Sequence, residues 1–351
     1  MSDSINHTTL EQVQKVLGLL QDTLEHQEQA ISFLDALSEN AEFMALLKSK
    51  ISIFEEHGRL SFLIDQTKYT IRDNTLLFLR LVRLQLVSLH GITALHFQNI
   101  TSADLASVCS YLTEIVHLKL EVSRYWRLQS VSMQTLPKEL SLMTSLEVLT
   151  LSRQQSLQTC EVDAPLTVKQ IKIEGGSDSF YEQLLGWVPN LEQLSITRSW
   201  RGSSLTRIPD SIGECSKLRS LLVTGHYQLK SVSSEIGKCV SLQHVSFQGS
   251  ALSTLPYSMQ SLKQLKYLNV ANTPMKYIPK QLLALPSLKQ LNASRCSSLI
   301  IQTNVLFQEK VWWQVPPTMY PNSSKHRTNF VIQDFFDKGH AESLFKERSD
   351  D

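Results

Sequence analysis

The feature that most limits what this chain can become is a short string written nine times. L-x-x-L-x-L, with any apolar residue accepted at the leucine positions, occurs as ITALHF, IVHLKL, LEVLTL, VKQIKI, LEQLSI, LRSLLV, LQHVSF, LKYLNV and LKQLNA, starting at residues 92, 115, 146, 168, 191, 218, 242, 265 and 288. The steps between them are 23, 31, 22, 23, 27, 24, 23 and 23 residues. Alternation within L-x-L makes a strand with one buried face. Upstream of the later strings, apolar residues fall 13, 10, 6 and 3 positions before the first leucine, as in Leu205, Ile208, Ile212 and Cys215, a spacing that makes a helical turn. Proline follows the second of these at Pro137, Pro209, Pro256 and Pro279. Roughly seven buried apolar side chains per unit contribute on the order of 10–20 kcal/mol, while ordering each backbone residue costs about 1–2 kcal/mol. One unit cannot fold alone, but stacked units sharing their cores can.

This pattern resembles the leucine-rich repeat family, in its L-x-x-L-P-x-x-[IL]-x-x-L-x-x-L-x-x-L-x-L subtype of 23 residues. The resemblance covers residues 76–300, because the same spacing reaches back to Leu79, Val82, Leu86 and Leu89. It implies an α/β horseshoe, with parallel strands on the concave side and short helices or turns on the convex side. The family places Asn three residues after the last strand leucine. Here that position holds Gln154, Ser199, His226, Ser250, Thr273 and Cys296, so shorter hydroxyl bonds are expected in place of an asparagine ladder.

Three parts follow: residues 1–75, an acidic helical domain or cap; residues 76–300, the repeats; residues 301–351, a C-terminal cap and tail helix. In the first part, Leu10, Val13, Leu17, Leu20 and Leu24 repeat at helical spacing behind a capping box of Thr8 and Glu11. Met44, Leu47, Ile51 and Phe54 predict a helix over 41–57 ending at Gly58, with another around 28–38. In the last part, Trp312 and Trp313 are expected to plug the final coil, and Phe330 to Phe345 to form a short amphipathic helix.

Charge and composition remove several classes. Net charge is +1, spread as ten acids and four bases over residues 1–60 and fourteen acids and twenty bases over residues 90–300. No dense basic stripe of a nucleic-acid protein stands out. No run of eighteen apolar residues suggests a membrane span, and the polar start "MSDSINHTTLEQ" lacks a signal peptide's order. The five cysteines form no CxxC pair and fall on interior template positions, so they read as small hydrophobes in a reducing compartment. The chain is expected to be cytoplasmic, or to reach a host cytosol without a signal peptide. No phosphate-cradling glycine loop, GxSxG or histidine ligand spacing is present, so no catalytic residue, metal or cofactor is expected.

The candidate binding residues come from the two longest steps. Their extra segments, "VSRYWRLQSVS" and "TRSWRGSS", leave the strands on one edge and carry Arg124, Tyr125, Trp126, Arg127, Arg198, Trp200 and Arg201. Arg153, His226 and Tyr227 leave intervening or following strands on the same edge, and His117, Lys119 and Lys172 add a polar concave face beside them. Insertions in solenoids map to one face, and Trp, Tyr and Arg are enriched where partners bind. The tryptophans either sit outward in a contact patch or fold over the core edge.

The expected function is a non-enzymatic, monomeric protein-binding module. A helical head followed by short leucine-rich repeats is similar in layout to bacterial effectors delivered into host cells, and "HAESLFKERSDD" resembles the short Glu/Ser-containing tails of type IV secreted effectors. Some such effectors carry a ubiquitin ligase domain with a catalytic cysteine. No cysteine follows Cys296 here, so the alternative is an adaptor whose N-terminal domain recruits a host ubiquitin ligase.

Overall fold

The computed structural model describes residues 7–20, 24–37, 39–56, 59–72, 74–123, 133–154, 156–198, 205–299 and 312–314. Every one of the nine strings forms a strand: Ala94–Gln98, His117–Glu121, Val148–Gln154, Gln170–Gly175, Gln193–Thr197, Ser220–Thr224, His244–Ser246, Tyr267–Asn269 and Gln290–Asn292. With Trp312–Gln314 they make one ten-stranded sheet whose strand order is the chain order. All of its pairings are parallel. The register aligns the fourth residue of each string: Leu95, Leu118, Leu149, Ile171, Leu194, Leu221, Val245, Leu268 and Leu291. All nine are buried, so the period-2 alternation lays a continuous hydrophobic wall under the sheet.

The opposite side of each coil is short helix. Pro137, Pro209, Pro256 and Pro279 each stand at the N-cap of the segment that follows: the 3-10 turns Lys138–Leu142, Asp210–Glu214 and Tyr257–Ser261, and the α-helix Lys280–Leu283. Proline suits that place because its fixed φ starts the turn and its missing N–H would have had no partner there. Leu140, Ile212, Met259 and Leu282 anchor these segments in the core. The coil after Gly175 instead carries a longer helix, Asp178–Leu185, which buries Phe180 and Tyr181. The Tyr181 hydroxyl donates to the Gly175 carbonyl at 2.6 Å, so this buried phenol keeps a partner.

The N-terminal part is not wholly helical. Helices His7–Leu20, Leu24–Leu37 and Ala41–Ser49 precede three antiparallel strands, Ile51–Glu56, Arg59–Ile64 and Thr67–Thr70. The helix expected over 41–57 therefore stops at Ser49. Ile51, Ile53 and Phe54 are β-branched or aromatic, and the pairing of this segment with Arg59–Ile64 outweighs the helical spacing. Within the first helix Val13, Val16, Leu17 and Leu20 are buried, but Leu10 stays 39% exposed. The helix Thr75–Arg83 then leads into the repeats, with Leu79, Val82 and Leu86 buried.

A run of aromatic rings joins this part to the solenoid. Phe62 lies 5.7 Å from Phe78, and Phe78 lies 6.2 Å from Phe97 in the first strand of the large sheet. Phe62 also stacks on Tyr69 at 5.3 Å, and the Tyr69 hydroxyl donates to the Leu20 carbonyl at 3.2 Å. The buried residues from Val13 to Leu299 form one core. At the other end, Trp313 pairs in register with Leu291, which makes Trp312–Gln314 a tenth strand. The rest of the C-terminal cap and the Phe330–Phe345 helix lie outside the described residues.

Candidate functional site

Outward-facing strand residues form long rows because parallel strands repeat at about 4.8 Å. One row runs His96, Lys119, Thr150, Lys172, Ser195, Leu222, Ser246, Asn269 and Asn292, the last three buried. A second runs Ala94, His117, Val148, Gln170, Gln193, Ser220, His244, Tyr267 and Gln290. Basic groups sit in the first coils and neutral amides and hydroxyls in the last. His117 is exposed, while Lys119 and Lys172 are half-buried in the concave floor. His96 and His117 are offset by two residues in the register; among the described residues no group of three or more His, Cys, Asp and Glu could hold a metal.

The first coils are organised by one buried acid that sequence reasoning missed. Glu121, 5% exposed, is the hub for three cationic side chains and a histidine. His96 Nε2 lies 2.7 Å from it, Lys119 Nζ 3.2 Å, and Arg72 3.4 Å. Arg153 closes on Oε1, the oxygen that Arg72 also faces, whereas His96 and Lys119 meet Oε2. The Lys119 amine has its pKa lowered by burial first, then by Arg72 and Arg153. Register alone brings His96, Lys119 and Glu121 together, and that much could be counted from the strings. Arg72 precedes the array and carried no signal.

Arg153 is turned away from the surface it was expected to line. The strand Val148–Gln154 breaks register between Leu151 and Gln154, and Arg153 takes a left-handed φ of 60° in that irregularity. Its Nε donates to the Val122 carbonyl at 2.6 Å, and its side chain is only 13% exposed. It ties neighbouring coils together.

Arg198 does face outward. It is exposed at the end of Gln193–Thr197, and its guanidinium lies 4.7 Å from the centre of the Tyr227 ring. Tyr227 is 60% exposed, so an Arg–Tyr cation–π pair stands on the strand-exit edge with both members open to a partner. Its neighbour His226 does not belong to that surface. Only 1% exposed, it points into the core, and burial lowers its pKa to about 4, with Arg198 adding to the lowering and a hydrogen bond with the Ile196 backbone opposing it. Arg124, Tyr125, Trp126, Arg127, Trp200 and Arg201 lie outside the described residues.

His226 shows how the inner ladder is built. Gln154, His226, Ser250, Thr273 and Cys296 hold equivalent positions, and all five are buried. Thr273 donates to the Val270 carbonyl at 2.7 Å and lies 3.4 Å from Cys296 Sγ, which meets the same carbonyl at 3.0 Å. In these last two coils a hydroxyl and a thiol stand in for the amide ladder, whereas Ser250 Oγ and Gln154 Oε1 are buried without a hydrogen-bond partner among the described residues. The chain folds as a leucine-rich repeat solenoid. No family model and no curated protein matches the sequence. Among solved structures the solenoid is similar to a leucine-rich repeat protein of Leptospira interrogans, at 16% identity and a TM-score of 0.35 over 68% of this chain and 76% of that one. It is also similar to the leucine-rich repeat domain of the type III effector XopL, at 16% identity and a TM-score of 0.35 over 85% of this chain and 74% of that one.

The solenoid's remaining reactive groups are buried. All five cysteines are free and interior. Burial pushes the thiols of Cys109, Cys215 and Cys239 up to about 12 and that of Cys160 to about 11. Such thiols do not supply a thiolate at neutral pH. No helix among the described residues is long and apolar enough to cross a membrane.

Proposed function

We propose that the solenoid is a non-enzymatic scaffold that binds a protein partner along its strand-exit edge and the adjoining first half of its concave face. The observation that carries this reading is the exposed Arg198–Tyr227 pair. Cation–π stacking holds both side chains in place before binding, so a partner gains a large rigid contact without ordering two flexible groups. The Glu121 hub acts in the same sense, fixing Lys119 and His96 on the concave floor. The thiols held far above neutral pH support a binding role over a catalytic one.

The test is affinity capture with the wild-type chain and with an Arg198→Ala/Tyr227→Ala variant, circular dichroism confirming that the variant stays folded. Loss of a specific partner in the variant supports the reading; partners retained equally by both remove it. Widening the variant to Arg124, Trp126 and Trp200 asks whether the loop residues share the surface.

The contact of Phe62 with Phe78, which in turn packs on Phe97, supports a capping role for residues 1–75, rather than a domain that recruits a ubiquitin ligase. Deleting those residues should then unfold the first coils, whereas an isolated 1–75 fragment that captures a ligase subunit would establish the adaptor. Delivery into host cells as a bacterial effector rests on the layout of the chain, and a translocation reporter fused to it tests that step.

A further inference from the structure

Charge along the strand-start edge follows a rule that breaks off partway. The residue after the first apolar position of each of the last seven strings projects there: Glu147, Lys169, Glu192, Arg219, Gln243, Lys266 and Lys289. Backbone bonds stack the last four in successive coils, with N–H of Gln243, Lys266 and Lys289 donating to the carbonyls of Arg219, Gln243 and Lys266 at 2.8, 2.8 and 2.9 Å. In the earlier coils the signs alternate and neighbours pair: Glu147 with Lys169 at 2.5 Å, Glu192 with Arg219 at 3.8 Å. After Arg219 the carboxylates stop.

The imbalance is large. Residues 236–308 contain no Asp or Glu and seven Lys or Arg. Residues 205–299 hold eleven bases and three acids, net +8. On the strand-start edge Lys217, Lys263, Lys266 and Lys289 are all exposed. Lys217 and Lys266 donate to amide oxygens there, Asn190 at 2.7 Å and Gln243 at 2.8 Å. No ion pair neutralises any of the four among the described residues. Between them Val240, two residues before Leu242 as Lys263 is before Leu265, is 51% exposed.

We infer that this ridge is a second binding surface, separate from the strand-exit edge, and that it takes an extended acidic segment of a protein. From Arg219 to Lys289 the ridge spans three strand spacings, about 15 Å. A β-extended segment places side chains on one face about every 7 Å, so three carboxylates match that length, and an apolar side chain among them meets Val240. The cations are mostly lysines, solvated point charges without the fork that grips phosphate bidentately. The ridge itself carries no aromatic ring on which a nucleic-acid base could stack. Its apolar content is Val240 and the equivalent Pro286, too little to insert into a bilayer.

The experiment is fluorescence anisotropy of the full chain with a fluorescein-labelled peptide of about twelve residues, alternating glutamate with alanine or valine. Lys266→Gln should weaken binding about two- to fivefold, and the combined Lys217→Gln/Lys263→Gln/Lys266→Gln/Lys289→Gln variant at least about twentyfold. Raising salt from about 50 to about 300 mM should weaken it by about tenfold or more. All four lysines are exposed, and circular dichroism checks that the variant is folded. Arg198→Ala/Tyr227→Ala should leave peptide binding unchanged, which separates this surface from the strand-exit edge. Undiminished peptide binding by the fourfold variant overturns the inference. So does a single-stranded oligonucleotide or a phosphatidylserine vesicle that binds through the same lysines at least tenfold more tightly than the peptide.

Discussion

Arg153 and Glu121 lock one coil onto the next: the guanidinium meets the buried carboxylate while its Nε holds the Val122 carbonyl at 2.6 Å. The same carboxylate draws in Arg72 from the N-terminal part, 3.4 Å away. Removing its charge would leave Arg153, 13% exposed, without its counter-ion. Glu121→Gln is therefore expected to destabilise the protein by about 3–5 kcal/mol, as breaking a buried pair does. Lys119 is 43% exposed, so Lys119→Ala should cost less than about 1 kcal/mol. Urea unfolding of the two variants checks the difference; equal midpoints would show that Glu121 is not the hub.

Acid should loosen the coil that contains His226. Its folded pKa, about 4, lies below the ordinary 6.5 because burial disfavours the charged ring. The unfolded chain thus takes up a proton before the folded one does. The stability His226 contributes is complete above pH 6.5 and is lost as pH falls toward about 4. The loss amounts to about 2 kcal/mol or more. His226→Asn, which restores the family's ladder residue, should flatten the dependence of the unfolding midpoint over that window. A wild-type midpoint that does not move between pH 7 and pH 4.5 would contradict the assignment.

The sheet was legible because a period of two decides which face is buried, and nine strings agree on it. The N-terminal strands were not, because Met44, Leu47, Ile51 and Phe54 fit a helix while Ile51 and Ile53 also fit a strand. Only pairing with Arg59–Ile64 settles the choice. On the strand-exit edge, Arg198 and Tyr227 could be placed by counting from their strings. Arg153 stands at the same count as Arg198 but turns inward, since its register break depends on the neighbouring strands. His226 was readable as both a ladder and an edge residue, and the ladder prevails because a buried ring fills the inner row.

The cysteines should be silent in the native protein. All five are buried, and burial raises four of the thiols to about 11 or 12. At pH 8 the thiolate fraction of these four is about one in a thousand or less. Iodoacetamide should leave the folded chain unmodified over an hour and add five groups after denaturation in urea, as read by intact mass. Rapid labelling of one native thiol would mark a cysteine as accessible and reopen a catalytic reading.

Two glycines make opposite predictions from one substitution. Gly237 lies in the 3-10 turn Ser234–Lys238, and a Cβ there would come within 2.8 Å of both the Ser258 carbonyl oxygen and its Cβ in the next coil. Backbone on that side cannot swing away as a long side chain can, so the coils must separate or tilt. Gly237→Ala should cost about 1–3 kcal/mol, the range of an overpacked core. Gly18 lies in the helix His7–Leu20 and has nothing within 4 Å of a Cβ position. There alanine only reduces the backbone freedom of the unfolded chain, and Gly18→Ala should stabilise by up to about 1 kcal/mol. Thermal melts of the two variants should move to opposite sides of the wild type. If Gly237→Ala melts with or above it, the outer faces of these coils are not packed as closely as their parallel strands require.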